Sequence, residues 1–242
     1  MRLAYVTNVK IPASDAQSIQ VAAMSRVFTH NLKGEFVLIS PCGDKKISQQ
    51  IDYNWSRVRV FSFLPRAIRY LLLIIKSIPK VKKFKPDFIY SRDIGVVLIY
   101  NLLGYKVVYE VHKPFETWVG EKIFSYIANK IKIVAISDAL KKFVIDNYKL
   151  NDSSLLVAHD GVFLESFNNI QKDRQSLLAL DEDKFIVMYS GSLQVGKGVE
   201  IVLKIASKLP DIYFYVVGGK KLEGVTENVK FIERIPSDIV PK

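Results

Sequence analysis

Two kinds of apolar pattern alternate along this chain. Leu3 to Thr7, Phe36 to Ser40, Val58 to Phe63, Asp87 to Tyr90, Lys106 to Val111 and Ile131 to Ile136 are short runs rich in β-branched and aromatic residues, and they read as strands. All but Phe36 to Ser40 are followed by a stretch with apolar residues at helical spacing. In Ser18 to Leu32, Val21, Ala22, Met24, Val27 and Phe28 mark the inner side, and Gly34 is expected to close the helix as a C-cap. Several strands are apolar on both faces, as strands covered on both sides of a parallel sheet must be. The pattern predicts a doubly wound α/β domain over residues 1–167. Asn168 to Lys184 is polar and reads as a linker. A second βαβ pattern then begins: strand Phe185 to Tyr189, helix 198–209, strand Ile212 to Val217, Gly218-Gly219, and strand Val229 to Ile232. Residues 185–242 are thus expected to form the first part of a second Rossmann-like domain.

Composition narrows the class. Half of the 242 residues are hydrophobic, which suits a packed core, and the single cysteine, Cys42, excludes an internal disulfide and fits a reducing compartment. The chain enters a strand directly after Met1, without a signal-peptide pattern, and an apolar run such as Leu71 to Ile75 is far shorter than the ~20 residues that span a bilayer. A soluble cytoplasmic protein is expected.

The net charge of +11 is concentrated in one place. Between Asp52 and Asp87 stand Arg57, Arg59, Arg66, Arg69, Lys76, Lys80, Lys82, Lys83 and Lys85, with no carboxylate among them. Within that stretch Arg66 to Phe84 is an apolar helix pattern interrupted by lysines. It fits an anionic membrane surface, or equally a core helix with a solvated basic face. Nucleic acid is the weaker reading, because zinc spacing, a helix-turn-helix pattern and an aromatic-lined basic sheet are all missing from the sequence.

Chemistry is concentrated in Phe185 to Gly198, FIVMYSGSLQVGKG. A strand, a loop of small residues and a helix opening on Lys197-Gly198 can form an anion site. Glycine admits the ligand to the backbone, free N–H groups at the helix start point at it, and lysine neutralises charge. An ordinary βα turn with a solvated lysine fits the spacing as well. Tyr189 to Gly198 resembles the donor-phosphate loop of retaining GT-B glycosyltransferases, of the group 1, family 4 type. That resemblance implies Gly191, Ser192, Lys197 and Gly198 at the diphosphate of a nucleotide-sugar. Ser192 stands where many members carry arginine.

Other segments share the resemblance. His112, in Val108-Tyr-Glu-Val-His-Lys113, resembles the family histidine that approaches the transferred sugar or the acceptor, which makes it the catalytic candidate. Arg92 ends the preceding strand, where it can meet an acidic acceptor group or a structural carboxylate. Asn8, Gln17 and Ser18 are acceptor-side candidates, although the loop Asn8 to Gln17 lacks the glycines common in the family. Ala158-His-Asp-Gly-Val162 resembles a family turn near the interdomain cleft, with Gly161 expected at positive φ. Ser137-Asp138 suits an N-cap. Asp181-Glu182-Asp183 matches a metal-binding Asp-x-Asp pattern but precedes a strand inside a polar segment, so it reads as a solvated turn. No metal and no cofactor are expected.

The resemblance therefore implies a metal-independent transfer of a hexose from a nucleotide-diphosphate sugar to a lipid-linked or surface-polysaccharide acceptor, at the inner face of a membrane. The family's acidic pair, which contacts the donor sugar and ribose, would lie beyond Lys242. A chain ending there is expected to transfer poorly, and to associate with itself or with a partner that covers the incomplete domain. Three alternatives stay open: a non-catalytic accessory subunit that binds a sugar nucleotide, a sugar-nucleotide epimerase, and a nucleic-acid-binding protein.

Overall fold

A computed structural model describes residues 1–43, 51–115, 117–162, 164, 185–220 and 222–235. The chain divides into two compact units, Met1–Gly161 and Val162–Lys242. The expected linker 168–184, with Asp181-Glu182-Asp183, lies outside the described residues.

In the first unit the elements are β1 (Arg2–Val6), α1 (Ala16–Asn31), β2 (Glu35–Pro41), β3 (Trp55–Val58), α2 (Arg66–Phe84), β4 (Phe88–Ser91), α3 (Ile94–Leu102), β5 (Val107–Val111), α4 (Trp118–Ile127), β6 (Lys132–Ala135), α5 (Asp138–Tyr148) and β7 (Leu155–Val157). The strands form one sheet in the order β3-β2-β1-β4-β5-β6-β7, and every pair is parallel. The order reverses direction between β1 and β4. Alternation along β1 shows how the sheet is covered: Leu3 and Tyr5 join Val21 and Ala22 of α1, while Ala4 and Val6 join Leu73, Val97 and Phe124 of α2, α3 and α4. Each valine, leucine or phenylalanine among them that is taken from water contributes roughly 1.5–3 kcal/mol.

Local signals start the helices. The Asp15 side chain accepts from the Ser18 N–H at 3.0 Å, Thr117 from Gly120 at 3.2 Å, and Ser137 from Leu140 at 3.2 Å. Ser137 is therefore the N-cap its sequence suggests. α2 stops at Lys85, which takes a left-handed conformation (φ 52°) before Pro86. No helix among the described residues is long and apolar enough to cross a membrane.

Four local expectations are corrected. The third strand is Trp55–Val58, not Val58 to Phe63: the chain turns after Val58, leaving Phe61 55% and Phe63 80% exposed. β7 is an edge strand of three residues, too short to announce itself in the sequence. α1 ends on Leu32, whose N–H bonds the Phe28 carbonyl, and Val27 faces solvent. Gly34 has another task, since a Cβ there would lie 1.8 Å from the Met1 carbonyl oxygen. Gly161 is not at positive φ.

The second unit contains β8 (Ile186–Ser190), α6 (Val199–Ala206), β9 (Tyr213–Val217) and β10 (Val229–Ile232), a parallel sheet in the order β10-β9-β8. Val199 and Ala206 of α6 pack on Phe214 and Val216 of β9. The Asn228 amide nitrogen lies within 3.0 Å of the Ala206, Leu209 and Ile212 carbonyls, which satisfies the C-terminal end of the helix.

Candidate functional site

In an open α/β sheet, a ligand crevice forms outside the carboxyl ends of the strands where the strand order reverses. The first unit has its cavity there, a space of about 1080 Å³ at the ends of β1, β4 and β5. Asn8, Gln17, Arg92 and His112 all line it. Ser18 does not. It is fully buried, and its hydroxyl accepts from the Ala13 N–H at 2.9 Å, so it holds the β1–α1 loop instead of facing a ligand.

Asp93 ties the two strands that flank the reversal. Its carboxylate accepts from the Thr7 hydroxyl and the Asn8 N–H, both at 2.9 Å. Burial raises its pKa, and those two bonds with the charges of Arg92 and Arg66 only partly oppose the rise.

Glu110 and His112 alternate along the end of β5 and so share a face. The Glu110 carboxylate accepts from the Tyr90 hydroxyl and from His112 Nε2, and Arg92 Nε lies 4.0 Å away. Arg92 also donates to His112 Nδ1 at 3.0 Å. A guanidinium can only donate, so Nδ1 accepts and Nε2 carries the proton that faces Glu110. Both nitrogens of the predicted catalytic histidine are therefore occupied from within the protein. Burial pushes the Glu110 pKa up, but bonds from His112 and Tyr90 and the charge of Arg92 outweigh it and hold the carboxyl below its ordinary value. Burial first, then Glu110, pushes the Tyr90 phenol far up, so it remains a donor.

Ligand atoms of Glu110, His112 and Asp160 lie within 4.8 Å of one another. A divalent ion there would share the space with the Arg92 guanidinium, whose charge opposes it. Asp160 is also engaged, accepting from the Gln20 amide.

Glu110, Tyr90 and Asp93 did not stand out in the sequence. A signal for Glu110 was available: a carboxylate inside an apolar strand, two residues before a histidine, has to find a partner or pay for burial.

The second unit holds the predicted phosphate loop. β8 ends at Ser190, and Gly191 N–H bonds the Val217 carbonyl at 3.0 Å. Gly196 (φ 83°) and Gly198 (φ 91°) take left-handed conformations that bring the chain into α6, with Gly198 as its N-cap. The Tyr189 hydroxyl closes the loop against the Ser192 carbonyl at 2.9 Å and the Lys197 carbonyl at 3.3 Å. Ser192 and Lys197 are exposed. Beneath them Gly218 (φ 128°) is obligatory, because a Cβ would lie 2.0 Å from the Gly191 carbonyl oxygen.

No protein-family model matches the chain. Among solved structures, sucrose-phosphate synthase from Thermosynechococcus elongatus superposes with a TM-score of 0.78 at 13% identity, over 99% of this chain and 72% of that one. Anabaena Alr3699/HepE, solved in complex with UDP-glucose, gives 0.72 at 16% identity over 100% and 70%. This chain has the GT-B fold. Sequence likeness adds a curated relative, D-inositol 3-phosphate glycosyltransferase of Mycobacterium sp. (strain JLS), 31% identical over 83 residues. That match spans 34% of this GT-B chain and only 19% of the relative.

Proposed function

We propose that this chain belongs to a retaining glycosyltransferase that moves a hexose from a nucleotide-diphosphate sugar, without a metal. The observation that carries the reading is the pairing of a GT-B fold with a glycine-rich strand-loop-helix turn at Lys197-Gly198. The UDP-glucose complex of Alr3699/HepE supports the donor class. At this turn the N–H groups of residues 199 and 200 lack helical partners, and Lys197 adds a full positive charge. Both would offset the charge that builds on a leaving diphosphate.

The acceptor belongs to the cavity of the first unit. A hydroxyl that reaches His112 replaces Arg92 at Nδ1, and Glu110 fixes the tautomer that presents Nδ1 as an acceptor. A charge-assisted phosphate contact is worth about 1.5–3 kcal/mol. Lys197→Ala is accordingly expected to weaken UDP binding roughly ten- to a hundredfold by calorimetry, and equal affinity for the two proteins would overturn the assignment.

The acceptor is proposed to be lipid-linked or a surface-polysaccharide precursor, met at an anionic membrane. Ile68, Leu71 and Ile75 form an exposed stripe on α2, and exposed Phe61 and Phe63 precede it. Of the nine cations in this stretch, Lys76 and Lys80 are bound to Arg59 O and Ser56 Oγ, while Arg57, Arg59, Arg66, Lys82, Lys83 and Lys85 are exposed. Each basic residue near such a surface contributes about 1 kcal/mol. Co-sedimentation with vesicles is expected to rise with the anionic lipid fraction and fall with added salt. Equal sedimentation with neutral and anionic vesicles would rule this docking out.

A further inference from the structure

The first turns of α2 present two faces. Ile68, Leu71 and Ile75 are exposed on one, whereas Arg66, Arg69, Tyr70 and Leu73, spaced i, i+3, i+4 and i+7, line the cavity of the first unit. The basic stretch is therefore not a single surface. Two of its arginines are turned away from the apolar stripe and toward the space that begins at Asn8 and His112.

That space is strongly electropositive. Five cationic side chains line it, namely Lys10, Arg66, Arg69, Arg92 and Lys113. Two carboxylates do so as well, and both are engaged by other groups. Asp15 caps α1, and Asp93 is bonded to Thr7 and Asn8. Arg92 is held by Glu110 and His112. Lys10, Arg66 and Arg69 have no salt bridge or hydrogen-bond partner among the described residues, although the Arg66 charge reaches Asp93. Arg69 Nε is sealed from solvent with nothing to donate to. A buried donor on a charged group without a partner is rare in a folded protein and calls for an anion or a water.

We propose that Arg66 and Arg69 read a phosphate carried by the acceptor, so that the acceptor is a phosphorylated saccharide or polyol. This rests on the glycosyltransferase reading above and goes further by naming the group recognised. Two guanidinium forks, with Lys10 lining the same cavity, suit a phosphate, whose several oxygens can take bidentate contacts from more than one side. Leu73, Tyr109, Phe115 and Ile123 supply the apolar wall against which the rest of such a ligand would rest. At about 1080 Å³ the cavity holds more than one sugar ring.

Calorimetry on the whole chain tests this with glucose 6-phosphate, glucose and inorganic phosphate as probes. Glucose 6-phosphate is expected to bind about tenfold more tightly than inorganic phosphate, and glucose more weakly than both. The Arg66→Gln/Arg69→Gln pair, with an unchanged circular dichroism spectrum, is expected to weaken glucose 6-phosphate roughly ten- to a hundredfold. Arg69→Lys, which keeps the charge and removes the fork and its Nε, should fall between. Glucose binding as tightly as its phosphate, inorganic phosphate binding as tightly as glucose 6-phosphate, or a double variant that binds like wild type would each overturn the proposal. So would a double variant that loses only vesicle binding, since the arginines would then belong to the membrane face. UDP titration of the wild-type chain is scored separately: its failure would remove the nucleotide-sugar reading and leave the arginine result standing.

Discussion

Glu110→Ala is expected to lower the unfolding free energy of the first unit by roughly 3–5 kcal/mol, the cost of removing one member of a buried charge pair. Arg92 and His112 would lose the carboxylate they face, and the Tyr90 hydroxyl would be left buried without its acceptor. Both tryptophans of the chain, Trp55 and Trp118, lie in the first unit, so urea titration followed by their fluorescence reports on it alone. Glu110→Gln keeps the shape and loses the charge, and its cost should be smaller. It also isolates a pH effect. Because the folded-state pKa of Glu110 is lowered, its stabilisation is complete above the ordinary value of 4.5 and is lost as pH falls below that toward the folded value. Asp93, whose folded pKa is raised, acts with the opposite sign. The difference between wild type and Glu110→Gln should therefore shrink as the pH drops below about 4.5. A difference that stays constant with pH would show that the Glu110 charge is not held by its partners.

The second large effect is expected at Gly218. Alanine there meets a left-handed backbone and a carbonyl oxygen 2.0 Å from its Cβ. Strain and overpacking together amount to roughly 2–6 kcal/mol. A unit with three described strands has little stability to lose. Amide exchange at Ile186–Ser190 and Tyr213–Val217 should accelerate strongly, with the first unit unaffected. Gly224→Ala provides the control, since it has the strain of φ 69° and open space around its Cβ. Equal exchange in the two variants would mean that β8 and β9 do not pass as closely at their ends as the structure has them.

The parts that were legible in the sequence share a physical cause. Arg66–Phe84 was read to the residue because proline stands on both sides of it, at Pro65 and Pro86, and its apolar spacing continues past the lysines and the internal Pro79. The parallel sheet was legible from strands apolar on both faces. The third strand was misplaced because Val58-Arg-Val-Phe-Ser-Phe alternates as a strand does, yet its phenylalanines are spent on the surface. Alternation reports a period and not which face is covered. Ser18 was misread for the opposite reason: a hydroxyl at a helix start looks available to a ligand, and here the preceding loop takes it. Asn8, Arg92 and His112 converge on one cavity because a strand-end position is visible in sequence and the sheet order then collects them, and Gln17 joins them from the first turn of α1. The inward turn of Arg66 and Arg69 was not legible. It depends on which side of α2 meets the sheet, and the charge pattern alone is the same either way.

The position of β1 has a consequence for how the protein is made. It is an inner strand of its sheet, with β2 on one side and β4 on the other, and its end is fastened to Asp93 through Thr7 and Asn8. On the ribosome, β2 emerges soon after β1, but Phe88–Ser91 does not. At ~5–20 residues per second, one flank of the first strand stays bare for seconds while the basic, apolar α2 segment is already outside the tunnel. An unpaired strand edge beside an exposed apolar helix is a template for pairing with another nascent chain. Synthesis slowed while residues 60–90 are leaving the tunnel should therefore cost soluble yield, whereas the same pause placed after Asp93 has left it should cost little.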